Sequence, residues 1–367
     1  MNAVIACGGT GGHLFPGLAV AEVLRARGHE VMLFISEKEV DTLAVEGRTE
    51  FRYEKLPTVA LPSPFSPAIL AFVRRFNESL SLCRAIFRKF QPHVVLGMGG
   101  FTSTAPILAG RMRGVATFIH ESNAVPGRAN RHTARFVRAV LLGFKECAEF
   151  FPKAHTEFTG TPIRSSLRRI DRTEALEKFG LQPEIPTLLV MGGSQGASGI
   201  NQALIKAMPS LQGLSLQVIH LSGSRDARLL EDNYRRENIP ARVVAFHHQM
   251  EEIYSAADLV IARAGASSLA EFTAFALPAL LVPYPYAADD HQTRNAEIFV
   301  KGKAAVMVKE SELSGDLLAA KIRGLLNDRD ALRTMSASTA ALAPKNAAAL
   351  IVETIERHSQ PNDALAA

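Results

Sequence analysis

The stretch ACGGTGGHLFPGLAVAEVL, residues 6–24, decides how the chain folds. The apolar run VIAC (residues 4–7) feeds four glycines and His13, and an apolar-periodic helix follows. A strand, a glycine loop and a helix in that order usually hold a phosphate. Glycine lets the backbone approach a ligand closely, and the first helical turn offers free N–H groups and about half a positive charge. His13 stands where a nucleotide-binding loop would be expected to carry Lys or another Gly.

Outward from this unit the pattern repeats. Strands are expected near 3–7, 30–35, 51–56, 93–97, 116–120 and 137–142, with helices at 14–27, 37–45, 67–90, 103–113 and 127–134 between them. The segment FTGTPIRSSL (158–167) breaks the alternation and reads as a hinge. TLLVMGGSQGASGINQAL (187–204) then restarts it, and strands near 215–221, 242–246, 258–262, 279–283 and 304–308 follow. Residues 314–357 read as helical and the tail SQPNDALAA as disordered. Alternating strands and helices imply parallel sheets covered on both faces. The fold class is therefore α/β, with two doubly wound domains at 1–161 and 165–341.

Three glycine loops follow apolar strands: GGTGGH (8–13), GMGGFTS (97–103) and GGSQGA (192–197). None has the dinucleotide spacing G-x-G-x-x-G, since the position five after Gly9 is Leu14, so Glu37 is discounted as a ribose-binding acid. The Walker pattern is absent too. These observations exclude an ordinary dehydrogenase and a P-loop NTPase.

Composition narrows the class further. The 367 residues are 47% hydrophobic and 21% charged, with net charge +5, which suits phosphates or an anionic membrane surface. No block of like charge suggests a nucleic-acid tail. Cys7, Cys83 and Cys147 make no metal-ligand spacing and no disulfide framework, which fits a reducing cytosol. The start MNAVIACGG has no basic segment before a long apolar stretch, so no secretory signal is expected, and no charge-free stretch reads as a membrane span.

Taken together, GGTGGHLFPGLAVAEVL, GMGGFTS, HESNAVPGRANR, GTPIR, GGSQGA and ARAGASSLAE…LPALLVPYPYAADDHQTRNA closely resemble the MurG family of glycosyltransferases, in order along nearly the whole chain. The resemblance implies the GT-B fold, two Rossmann-like domains facing each other across a cleft, with the last helix (342–358) packing back on the first domain. It implies transfer of GlcNAc from UDP-GlcNAc to the C4 hydroxyl of MurNAc in undecaprenyl-diphospho-MurNAc-pentapeptide (lipid I), giving lipid II for peptidoglycan. It also implies a peripheral enzyme on the cytoplasmic face of the bacterial inner membrane. Other proteins of cell-wall synthesis are candidate partners; nucleic acid is not.

The resemblance assigns donor residues position by position. Ser194 would meet the UDP diphosphate, with Arg164 opposing its charge. Ala266, Ser267 and Ser268 allow close approach, and Glu271 would accept from the ribose diol. His247 would touch uracil through its backbone, and Gln292, with Asn295 beside it, would bind GlcNAc hydroxyls. Asn123 would reach the sugar from the first half. His248 reads as a surface residue, and His291 is the less constrained neighbour of Gln292.

Inversion at the anomeric centre needs one base on the acceptor side. A neutral imidazole with a pKa near 6.5 suits that work. GGTGGH then reads as holder and base together: Thr10, Gly11 and Gly12 at the acceptor and His13 taking the proton. Packing of His13 against the first helical turn is the structural alternative, and Glu121 is the second candidate base. Gly99, Gly100 and Thr102 are candidates for the acceptor diphosphate. No metal or other cofactor is expected. Asp328 and Asp330, the one Asp-x-Asp, read as helix-capping residues.

In the long helix Ile69, Phe72, Val73, Phe76, Leu80, Cys83, Ile86, Phe87 and Phe90 share one stripe, with Arg74, Arg75, Arg84, Arg88 and Lys89 off it. That pattern serves a core helix or one lying on anionic lipid, and part of the stripe can do each. The apolar, Pro-rich VALPSPFSPAILAF (59–72) adds weight to the lipid reading. Two rivals remain: a UDP-GlcNAc 2-epimerase of the same fold, and a non-catalytic binder of lipid-linked precursors.

Overall fold

The computed structural model describes residues 1–46, 48–57, 62, 66–192 and 196–359. It divides into two compact units, Met1–Ser165 with Ala343–Ala367, and Ser166–Leu342.

The first unit begins with β1 (Asn2–Ala6), α1 (Gly11–Ala26), β2 (Glu30–Ser36), α2 (Glu39–Val45), β3 (Arg52–Leu56) and α3 (Ala68–Phe90). It continues through β4 (Val94–Gly97), α4 (Thr104–Met112), β5 (Ala116–Glu121), α5 (Arg128–Thr133), β6 (Ala139–Leu142) and β7 (Thr156–Phe158). Among the described residues seven strands join in the order β3-β2-β1-β4-β5-β6-β7. All pairs are parallel, as in Ala3↔Val31 and Ala3↔Val94. Side chains alternate between faces with the period of two that a strand imposes. Ile5, Leu33, Leu96 and Leu141 face Leu14, Leu18 and Leu24 of α1, while Val4, Phe34, Val95 and Val140 face Phe87 and Ile107. Each fully buried side chain of this kind is worth about 1.5–3 kcal/mol. β7, absent from the sequence reading, is a three-residue edge strand just before the expected hinge.

The second unit holds α6 (Arg172–Glu177), β8 (Thr187–Met191), α7 (Ser198–Leu211), β9 (Gln217–Leu221), α8 (Ala227–Arg236), β10 (Ala241–Val244) and α9 (Met250–Ala256). Then come β11 (Leu259–Ala262), α10 (Ala266–Ala274), β12 (Ala279–Leu281), α11 (His291–Lys301), β13 (Ala305–Met307), α12 (Gly315–Asn327) and α13 (Arg329–Ala341). Its strands run β10-β9-β8-β11-β12-β13, again parallel. The last helix, α14 (Ala347–Ser359), returns to the first unit, where Ile351, Val352 and Ile355 are fully buried in the α1-side core.

In both sheets the strand order reverses beside the first strand, between β1 and β4 and between β8 and β11. Ligands of open α/β sheets bind at the carboxyl ends of strands at such a switch point. The loops after β1 and β4, and those after β8 and β11, occupy these two places.

The α3 stripe divides along its length. Cys83 and Phe87 are buried and Phe34 stacks on Phe87, whereas Leu70 is 78% and Val73 47% exposed near the amino end. Arg75 pairs with Glu37 at 2.7 Å, which gives that carboxylate a surface partner. Among the described residues no helix is long and apolar enough to cross a membrane. Residues 58–61 and 63–65 of the Pro-rich stretch, and the tail 360–367, lie outside the described residues.

Candidate active site

In the first unit the site is built around His13, which lies in the first turn of α1. Thr10 is the N-cap, extended at φ −152° and ψ 155°, and makes no side-chain cap bond. Its Oγ1 instead lies 3.2 Å from Nδ1 of His13. No acidic residue occupies that first turn. Gly11 and Gly12 are therefore open N–H donors at a positive helix end. The imidazole lies flat on the loop after β4. A Cβ on Gly99 (φ +102°) would come within 3.0 Å of His13 Nε2, and one on Gly100 (φ +69°) within 3.3 Å of Cε1. These two glycines serve first to seat the ring.

Burial lowers the His13 pKa from 6.5 to about 4, against the opposing pull of Asp41. This corrects the expectation of an ordinary imidazole: desolvation disfavours the cation, so the ring stays neutral around neutral pH.

Asp41, which the sequence reading missed, sits fully buried beneath the loop. Its Oδ2 accepts from the Gly9 N–H at 2.6 Å and from the Ser36 N–H at 3.1 Å. Lys38 Nζ donates to the Gly9 carbonyl at 2.7 Å. The Gly9 N–H is thus committed to the protein. Thr102 is also corrected: it is 3% exposed beside Gly9, so its hydroxyl packs the loop from within.

Glu121 is 4% exposed and accepts four hydrogen bonds. They come from Asn123 N (3.0 Å), Asn123 Nδ2 (3.2 Å), Gly127 N (3.0 Å) and Asn130 Nδ2 (2.9 Å). Burial pushes its pKa up and these donors pull it down. A carboxylate with both oxygens engaged holds the 121–130 loop together, which weighs against the base role. Asn123 is oriented by that same carboxylate. Asn130 Nδ2 would lie 3.5 Å from a Cβ on Gly99, and its Oδ1 is buried with no partner among the described residues. Asn130 thus belongs beside His13, though its place in HESNAVPGRANR gave no local sign of it. His120 is buried with Nε2 3.0 Å from the Gly160 carbonyl, and burial lowers its pKa to about 4. The Arg164 guanidinium stacks over Phe15 of α1 at 4.7 Å, and its Nε is buried with no partner among the described residues.

In the second unit a groove of about 950 Å³ opens at the switch point. Gly192, Gly196, Ser198, Arg225, Ser268 and Gln292 are among its lining residues. Gly196 has φ +74°, and a Cβ there would meet the Ser222 carbonyl at 2.4 Å, so the turn admits only glycine. Below it Asn201 donates to Asp226 at 2.7 Å and Ser198 donates to Asp226 at 3.2 Å. Ser194 lies outside the described residues.

Gly265 is the N-cap of α10, and the first turn, with Ala266, Ser267 and Ser268, has no side-chain cap and no acid. Glu271 lies one turn on, its Oε2 accepting from the Tyr254 hydroxyl at 2.6 Å. Gln292 Oε1 accepts from Ala264 N (3.1 Å) and Tyr284 N (3.0 Å), which aims its amide nitrogen away from the backbone. Asn295 is a correction: it is fully buried and donates to the Ala264 carbonyl at 3.0 Å, a strut for the loop after β11. His247 Nε2 lies 2.9 Å from Glu252, so its side chain is turned to the protein. His291 Nδ1 lies 2.7 Å from the Ala288 carbonyl. Asp328 caps α13 by accepting from Ala331 N at 2.9 Å, and Asp330 pairs with Arg333.

Comparison with known proteins places this geometry. Residues 3–142 match the glycosyltransferase family 28 N-terminal domain and residues 187–353 the family 28 C-terminal domain. The chain is 36% identical, over 99% of its length and 98% of the relative's, to the UDP-N-acetylglucosamine–N-acetylmuramyl-(pentapeptide) pyrophosphoryl-undecaprenol N-acetylglucosamine transferase of Geobacter sp. (strain M21). The crystal structure of Acinetobacter baumannii MurG superposes with TM-score 0.78 at 27% identity, covering 97% of this chain and 99% of that one. A putative UDP-N-acetylglucosamine 2-epimerase from Listeria monocytogenes has TM-score 0.72 at 11% identity, over 97% and 96% of the chains, a likeness of fold alone. Two family matches in sequence order, and identity along the whole length of a curated transferase, establish that the chain is a hexosyltransferase of glycosyltransferase family 28, within the MurG family.

Proposed function

We propose that this chain moves N-acetylglucosamine from UDP-GlcNAc to the C4 hydroxyl of MurNAc in undecaprenyl-diphospho-MurNAc-pentapeptide, with inversion and without a metal. The observation that carries the mechanism is the neutral His13 imidazole, seated on Gly99–Gly100 at the open N-terminus of α1.

The second unit binds the donor. The amino end of α10 and the 192–197 loop meet the diphosphate, Glu271 takes the ribose diol and is aimed by Tyr254, and the Gln292 amide meets GlcNAc hydroxyls. The His247 backbone meets uracil. The first unit binds the acceptor. Gly11 and Gly12 face its diphosphate, with Thr10 orienting His13, while Arg164 opposes the charge of the UDP diphosphate and Asn123 serves the GlcNAc of the donor. With Nδ1–H donated to Thr10, Nε2 carries the lone pair. The acceptor oxygen bonds to C1, the C1–O bond to the β-phosphate breaks, and Nε2 takes the hydroxyl proton. Helix N-termini stabilise the departing UDP, as preorganised dipoles do wherever negative charge develops.

The exposed Leu70 and Val73 beside Arg74 suit a peripheral seat on the anionic cytoplasmic leaflet, where the lipid acceptor lies. The test is purified protein with labelled UDP-GlcNAc, with and without lipid I. Transfer only when acceptor is present, to a β-linked disaccharide and undiminished by chelator, is the expected result. Formation of the 2-epimer from donor alone would establish the rival epimerase, and binding without turnover would establish the non-catalytic binder.

A further inference from the structure

A cluster at the edge of the first sheet takes no part in the transfer described above. His155 and Glu157 are two residues apart on the extended chain entering β7, so their side chains lie on one face. His358 comes from the last turn of α14. Nε2 of His155 and Nε2 of His358 lie 3.0 and 2.9 Å from the same oxygen, Glu157 Oε1. The donor atoms of all three residues lie within 4.8 Å of one another. The second carboxylate oxygen is held separately, by the Thr354 hydroxyl at 2.9 Å and Arg357 at 3.1 Å.

We propose that His155, Glu157 and His358 form a binding site for a divalent transition-metal ion of the zinc or nickel type, which staples the C-terminal helix to the sheet edge. Two imidazoles and a carboxylate are a donor set that zinc accepts, with bonds of about 2.0–2.2 Å. In a tetrahedral shell of that radius neighbouring donors stand about 3.3 Å apart. The two nitrogen–oxygen separations of 2.9 and 3.0 Å are already close to this. The protons now shared between the imidazoles and the carboxylate are what the ion displaces. Thr354 and Arg357 fix the carboxylate from behind, as outer partners of metal ligands do, and leave Oε1 for the ion. His155 is 55% exposed in its side chain, which gives an entry path and leaves a fourth position for water. The Arg357 cation beside Glu157 opposes a second positive charge, so affinity falls in the micromolar range rather than the far tighter range of closed structural zinc sites.

The experiment uses untagged full-length protein, stripped with chelator and dialysed. Titration with Co²⁺ is followed by its d–d absorption, and melting is recorded with and without Zn²⁺. One equivalent of Co²⁺ is expected to bind, and Zn²⁺ is expected to raise Tm. H358A and H155A should each weaken binding at least about tenfold and abolish the Tm rise. His155 lies outside α14, so H155A reads ligation even if H358A loosens the helix. Absence of binding at submillimolar metal, or binding unchanged in the His155→Ala/His358→Ala double variant, would overturn the proposal.

Discussion

The side chain whose state matters most is His13. Burial draws its pKa down to about 4, so the base form is present in the free enzyme over the whole neutral range. The acid limb of kcat/KM, which reports the free enzyme, is therefore expected near pH 4–5 rather than near 6.5. A limb at 6.5 would mean that water reaches the ring. His13, Glu271 and Gln292 stand out in the sequence as candidates because each is a reactive residue type close to a strand end and a glycine loop. Asp41, Asn130 and the hydrogen-bond partners of Glu121 and Asn295 do not. Their roles are set by partners such as Gly9, 32 residues from Asp41, and Ala264, 31 from Asn295. A buried amide that props a loop and one that grips a sugar look alike until their surroundings are known.

At the scale of elements, the proposed chemistry depends on two turns meeting. The loop after β4 is flat enough for an imidazole only because residues 99 and 100 lack side chains. Gly99→Ala puts a methyl group 3.0 Å from His13 Nε2 in a backbone region that disfavours L residues. Strain of about 1–3 kcal/mol is expected. The measured result should be a lower Tm with a kcat loss of at least about tenfold, because the ring shifts by a fraction of an ångström. A variant of unchanged Tm and rate would show that the ring does not rest there. Most of the strand order is legible from periodicity, because buried parallel strands are continuous apolar runs. β7 was missed because three half-buried residues at a sheet edge carry no period. The division of α3 was left open because a stripe of apolar residues does not say where its cover ends. Cys83 and Phe87 have cover and Leu70 has none.

For the whole molecule, histidines held neutral by desolvation set the acid limit of stability. Burial lowers His13 and His120 to about 4 and His220 to about 3, from 6.5. Between these values the unfolded chain binds protons that the folded chain refuses, so stability rises with pH and is lost as pH falls through the window. Tm should fall steadily from about pH 6.5 to 4, and a flat profile there would refute the neutral state of these rings. For Glu157 desolvation pushes upward, but hydrogen bonds from His358, His155 and Thr354 and the Arg357 charge together bring it down to about 2, which extends the loss below the usual carboxylate range. The central claim remains that His13 removes the acceptor proton. Turnover of His13→Ala with saturating UDP-GlcNAc and lipid I tests it most directly. A fall in kcat of about 10²–10⁴, with KM for UDP-GlcNAc little changed, is the predicted result, and turnover equal to that of the unmodified enzyme would contradict it.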